Sequence, residues 1–238
     1  MLAPFMPLDP PPPAPMRLAT ICVGRPAFVR DGPELVRTGI FKQPVAGPVR
    51  AGRLGLDGDG QADLDVHGGE FMAIYAYPAD HYPTWRAELQ RDDLAHGQFG
   101  ENFTIEGFAE GATFLGDHWQ VGSALLAVTQ PRVPCFKLGI RFGDPGIVKR
   151  FTRSLRSGCY LRVLREGVVE AGDAVECVAR GDARVPIDRL FEAMTLKKGR
   201  EGAEVLERAL ESAELSPAWR EAIRDRLDLA QGLRPRLR

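Results

Sequence analysis

Cys135 lies in the stretch TQPRVPCFKLG, with Arg132 three residues before it and Lys137 two residues after it. Two cations beside a thiol favour the thiolate, the form that attacks carbon or binds metal. Pro131 and Pro134 remove two backbone donors and favour an extended chain, which suits a strand end or a loop. On an extended backbone Lys137 projects on the same side as Cys135. The bland alternative is a small apolar side chain filling a core, and composition alone leaves both open. No histidine is near in sequence to serve as a base, so acyl-transfer chemistry of the protease type has little support. A single thiolate can hold a soft metal when a cofactor supplies the remaining ligands.

Two glycine-rich stretches could hold an anion. His67-Gly68-Gly69 can present an imidazole and backbone donors, or be no more than a hairpin connection. GQFGENFTIEG, residues 97–107, flanks Phe99 with glycines and leads through Glu101 and Asn102 into a β-type run. It is either a close backbone approach to a phosphate or a tight turn. Asp57, Asp59, Asp63 and Asp65 superficially resemble a calcium loop, but the closing glutamate and flanking helices are missing. The four histidines and four cysteines are scattered, so a zinc site built from side chains alone is not expected.

The elements that must position these residues fall into two groups. From Met16 to about Arg180 the chain is a series of short β-type runs: RLATICVG, TGIFKQPV, MAIYAY, ENFTIEG, DHWQVG, SALLAVTQ, CYLRVL and DAVECVA. Turn residues separate them, a density that favours a barrel or sandwich. Two helices interrupt, one in PADHYPTWRAELQ and one over residues 146–155. After residue 180 three amphipathic helices follow, the last opened by Ser216-Pro217. The expected organisation is a proline-rich extension over residues 1–15, a β domain over 16–180 and a three-helix module over 181–238. The class is α+β.

The bulk properties exclude several functions. A formal net charge of -1 over 238 residues does not suggest a nucleic-acid or membrane-surface binder. No apolar run approaches the length of a bilayer span, and the N-terminus does not read as a secretion signal. Unpaired cysteines then point to reduced thiols in a cytoplasm. There is no fingerprint for NAD or flavin and no iron–sulfur cysteine set, so any electrons must come from outside. The apolar faces of the last helices could serve a homodimer.

HGG at 67–69, GEN at 100–102, GDHWQVGSALLAVTQPRVPC ending at Cys135, and GCYLRVLREGVVEAGD from Gly158 together resemble the MOSC domain family. The resemblance is greatest to its YiiM-type members, which carry a three-helix module after the domain. It extends from Met16 to the C-terminus. It implies a β-barrel-like fold that binds the pterin form of the molybdenum cofactor, with Cys135 as the protein ligand to the metal. By the same carry-over Arg132, Lys137, His67, Gly68, Gly69 and Asn102 are candidates for holding the cofactor's phosphate and pterin. The implied activity is reduction of small N-hydroxylated compounds such as 6-hydroxylaminopurine, with electrons from a separate flavoprotein reductase. The alternative is a cofactor or sulfur carrier that uses Cys135 without reductase activity. One departure stands out: many relatives have a proline-acid-lysine step after HGG, where this chain reads Glu70-Phe71-Met72.

Overall fold

A computed structural model of the chain describes residues 15–62, 68–197 and 200–231. The strands in chain order are β1 (Met16–Val23), β2 (Ala27–Asp31), β3 (Glu34–Thr38), β4 (Gln43–Val45), β5 (Val49–Gly52), β6 (Gly55–Leu56), β7 (Ile74–Pro78), β8 (Phe103–Glu106), β9 (His118–Val121), β10 (Ala124–Pro131), β11 (Cys159–Arg165), β12 (Gly167–Val169) and β13 (Ala174–Ala179). The helices are α1 (His81–Leu89), α2 (Phe136–Phe142), α3 (Gly146–Ser154), α4 (Ile187–Thr195), α5 (Ala203–Ala209) and α6 (Pro217–Gln231).

Seven strands close into a barrel in the order β13-β9-β10-β11-β7-β8-β1, and β1 returns to pair with β13 at Met16–Val175 and Arg17–Ala174. Closure pairs both edges, which removes the template for unwanted strand addition. One pairing is parallel, β7 with β8. The 24 residues from Ala79 to Asn102 between them include α1 and provide the long crossover that a parallel pair requires. Strand β11 alternates buried and half-buried positions along CYLRVLR, with Cys159, Leu161 and Val163 turned into the interior. They meet Leu18, Ile74, Phe103, Trp119 and Leu126 in the barrel core. The fold is therefore α+β, as the text of the chain implies.

β7 is buried on both faces, because a second core packs outside the barrel. Tyr75 and Tyr77 of β7 meet Tyr82 and Trp85 of α1, Phe142 of α2 and Phe151 of α3 around Phe99. The last three helices form a third cluster that also takes in Leu115, Ala183 and Val185. No helix among the described residues is long and apolar enough to cross a membrane.

Two local expectations are corrected. Of the β-type run over 38–45, only Gln43–Val45 is a strand apart from Thr38, which ends β3; residues 39–42 form a loop. Pairing of β4 with β1 stops at Val23–Gln43, where β1 itself ends. The extended backbone at Cys135 does not continue to Lys137, because Cys135 is the N-cap of α2 with φ −118° and ψ 175°. Proline restrains the residue before it, Val133, and leaves those after it to start a helix. Gly143, at φ 66°, then terminates α2 in the left-handed conformation.

Candidate active site

A cleft opens at one end of the second core, where β10 runs out through Pro131 into α2. Counted to its open mouth, with the solvent space there included, it encloses about 730 Å³. One wall carries Arg132, Cys135 and Lys137, and another carries Lys42 and Asp59. Tyr75, Phe99, Asn102 and Tyr160 complete the lining that matters here.

Cys135 is half-buried and none of the four cysteines is in a disulfide. Its placement is a consequence of local sequence. Strand β10 ends at Pro131, the chain turns over Pro134, and the helix starts directly after the thiol. The other cysteines sit differently. Cys22 and Cys159 are fully buried, and burial pushes the Cys22 thiol up to about 12, with the Glu101 carboxylate adding to the effect. Burial also holds the Cys159 thiol well above its ordinary value.

Arg132 is 5% exposed, and its guanidinium carbon lies 5.2 Å from the Tyr75 ring centroid and 5.1 Å from that of Phe151. Two aromatic faces stabilise the cation without consuming its hydrogens. Its Nη1 has no hydrogen-bond partner among the described residues. Other arginines also leave a buried nitrogen unpaired, but Arg132 combines it with near-complete burial on the cleft wall, which makes it a candidate anion donor. Lys137 is half-buried on the same wall, one helix position past Phe136.

Asn102 lines the cleft, but its amide is committed. The side-chain oxygen accepts from the Tyr75 backbone N–H at 3.1 Å. The nitrogen donates to the Cys22 carbonyl at 3.1 Å and to Asp59 Oδ2 at 2.8 Å. Asn102 therefore positions β1, β7 and Asp59 relative to one another, and a glutamine would place the amide one methylene too far to do so. Asp59 is held further by Lys42 Nζ, at 2.5 and 2.6 Å to its two oxygens, and by the Gly24 N–H at 2.8 Å. The neighbouring Glu101 is fully buried and accepts from the Tyr82 hydroxyl, the Gly97 and Phe99 N–H groups and the Thr104 hydroxyl. The GEN triplet is thus a pair of locks on the cleft wall.

The HGG stretch is only partly described. His67 lies outside the described residues. Gly68 and Gly69 are described but are not part of the cleft lining. The Gly69 N–H donates to the Gln61 side-chain oxygen at 2.8 Å, and the Gln61 amide donates to the Leu54 and Met72 carbonyls, both at 3.2 Å. Gly69, at φ 86°, needs the conformational freedom of glycine for this turn. In the Glu70–Met72 turn, Glu70 pairs with Arg53 and Met72 lines the cleft, so this step adds an apolar side chain to the wall.

Sequence reasoning brings Arg132, Cys135, Lys137 and Asn102 to this cleft and misses Lys42, Asp59, Tyr75 and Tyr160. The signal for Asp59 was its place between two glycines in an acidic run, and for Lys42 a lone cation in an apolar one.

Comparison with known proteins agrees with this architecture. Residues 63–176 match the profile of the MOSC domain. The crystal structure of YiiM from Geobacillus stearothermophilus superposes with a TM-score of 0.75 at 36% identity, covering 90% of this chain and 100% of that one. The YflK protein of Bacillus subtilis, itself uncharacterized, is 35% identical over 206 residues, 87% of this chain and 92% of its own length. A longer protein of Gibberella moniliformis named Reductase is 37% identical over 173 residues, which is 71% of this chain and 30% of that protein. The profile match, a superposition over the whole of a solved YiiM chain and relatives at this level of identity lead to one assignment: the chain belongs to the MOSC domain family, as a YiiM-type member.

Proposed function

We propose that the cleft binds the molybdopterin form of the molybdenum cofactor, and that the protein reduces small N-hydroxylated compounds, such as 6-hydroxylaminopurine, with electrons from an external flavoprotein reductase. The observation that carries this reading is Arg132: a buried cation on the cleft wall, stacked between Tyr75 and Phe151, with a donor that no atom of the described residues accepts. An anionic phosphate group fits that donor, and the neighbouring thiol of Cys135 fits a soft metal that lacks one ligand. The residues present therefore suit a group that is both phosphorylated and metal-bearing.

The cofactor, when bound, supplies the two-electron chemistry of R–NHOH + 2e⁻ + 2H⁺ → R–NH₂ + H₂O. The chain's own residues bind, orient and shield. Cys135 holds the metal through Sγ, and Arg132 and Lys137 offset the phosphate charge. Gly69 shapes the turn behind Gln61, its N–H being engaged there. Asn102 acts as a positioning residue. Tyr75, Tyr160 and Phe99 give the cleft an aromatic wall that excludes water and suits a planar base. The reductase name of the Gibberella relative supports the oxidoreductase class.

Metal analysis tests the proposal. Protein purified from a host that makes the cofactor is expected to carry about one molybdenum per chain, and Cys135→Ser to lose both metal and reductase activity. Metal-replete protein that fails to reduce 6-hydroxylaminopurine with an artificial donor would refute the substrate assignment.

A further inference from the structure

The reduction consumes two electrons per turnover, and no redox relay is evident in the chain, so a donor must approach the cleft from outside. The charge distribution singles out one approach. Between Arg132 and Arg156 the sequence carries seven lysines and arginines and one aspartate, in a chain whose formal net charge is -1. The aspartate, Asp144, is paired with Arg150.

Helix α3 divides these charges between two faces. Ile147 and Phe151 are fully buried, and Phe151 is one of the two rings that hold Arg132. Lys149, Arg150 and Arg153 are exposed on the opposite face. Lys149 and Arg153 have no ion-pair partner among the described residues. One helix diameter, roughly 10 Å, therefore separates an open cationic surface from the ring packed on the cleft's buried arginine. On either side of Cys135, in the segment leading into α2, which packs on α3, Val133 and Phe136 are 49% and 55% exposed. Exposed apolar side chains bordered by charge are the composition of a small protein interface.

We propose that the outer face of α3, with Val133 and Phe136 beside it, docks the acidic surface of a protein electron donor. This rests on the reductase reading above and adds where its partner binds. Complementary charge raises the association rate and leaves the complex short-lived, which suits a donor that must leave after each delivery. Weak electron-transfer complexes also bury little surface, so one helix face and two apolar side chains suffice.

The test uses the full-length, metal-loaded protein and flavodoxin in its hydroquinone form as the acidic probe. The K149E/R153E variant keeps the cleft residues intact. With dithionite-reduced viologen as a small donor, its turnover of 6-hydroxylaminopurine is expected to match wild type. With flavodoxin, its second-order rate is expected to fall at least about tenfold, and the wild-type rate to fall with added salt. Calorimetric binding of flavodoxin to metal-free protein is expected to weaken in parallel, a readout independent of turnover. The R200E/R224E variant reverses the same number of exposed charges on the helical module and should change neither. Equal flavodoxin rates in wild type and K149E/R153E would overturn the docking face. So would a wild type that accepts electrons from viologen and none from flavodoxin. A wild type that holds molybdenum and is inactive with viologen would instead overturn the reductase reading.

Discussion

Lys42 Nζ lies 2.5 Å from one carboxylate oxygen of Asp59 and 2.6 Å from the other, with both side chains less than a tenth exposed. With Gly24 and Asn102 as further donors, each oxygen of Asp59 accepts two hydrogen bonds, so the carboxylate is saturated. The pair fixes the loop over 39–42 to the 59–62 segment within one wall of the cleft.

Removing one partner leaves an uncompensated buried charge. Lys42→Met and Asp59→Leu are each expected to lower unfolding stability by about 3–5 kcal/mol. The double variant should lose less than the sum of the two, because no lone charge remains. Urea unfolding of the three variants and wild type gives the cycle, and additive losses would show that the pair is not coupled.

Glu101→Gln keeps the shape of the side chain and replaces an acceptor oxygen by an amide nitrogen. The Gly97 and Phe99 N–H groups and the Tyr82 and Thr104 hydroxyls all donate to this carboxylate. At least one donor then faces another donor, at a cost of about 1–3 kcal/mol. The loss should appear in urea unfolding and in faster amide exchange over residues 97–100. Unchanged exchange would mean that the loop is held by its glycine turns alone.

The Cys22 thiol, pushed up to about 12 by burial from an ordinary 9.0, stays protonated in the folded protein after the unfolded chain has released its proton. The folded value lies above the unfolded one, so this contribution is complete below pH 9 and is lost as pH rises from 9 towards 12. The slope is at most about 1.4 kcal/mol per pH unit. Cys22→Ala should flatten the decline in stability over that window, although its cavity lowers stability at pH 7. The same burial protects Cys22 and Cys159 from iodoacetamide at pH 8, so native protein should be modified at Cys135 before either. Labelling of Cys22 at the rate of Cys135 would contradict the packing of the 97–102 segment over β1.

Arg132 separates stability from binding. Arg132→Met leaves an apolar chain between Tyr75 and Phe151 and removes a cation with an unused buried donor. Its unfolding midpoint is expected to equal or exceed that of wild type, while bound molybdenum falls at least about tenfold through loss of a charge-assisted contact. Arg132→Lys keeps the charge and loses the planar stack, so an intermediate metal content is expected. Full metal retention in Arg132→Met would remove this residue from the site.

The barrel was legible because its strands are short β-type runs punctuated by turn residues, alternating in burial along β11 and apolar throughout along β7. β7 and β11 are read directly from MAIYAY and CYLRVL. Cys135, with cations on both sides, was equally visible. The Lys42–Asp59 pair was not, because the two residues are 17 apart and only the loop before β4 and the turn after β6 bring them together. A propensity reading also gives no warning that Asn102 spends its whole amide on neighbouring strands, or that Cys135 caps a helix. Those depend on which chains pass close by, and local sequence does not encode that.

The junction after β13 has a practical consequence. Asp117, fully buried on the barrel side, accepts from Arg180 at 2.8 Å, from the Gly181 N–H at 2.9 Å and from the Phe114 N–H at 3.0 Å. A Cβ at position 181 would lie 1.9 Å from the Leu115 carbonyl oxygen, so only glycine fits. The Leu115 N–H donates to the Val185 carbonyl at 2.9 Å, and Phe114 bridges to Pro186. Residues 114–117 and 180–186 are thus two halves of one joint. A chimera that exchanges the helical module between relatives at residue 181 would split that joint, setting Phe114 and Leu115 of one protein against residues 181–186 of another. Recombination should therefore carry both segments together.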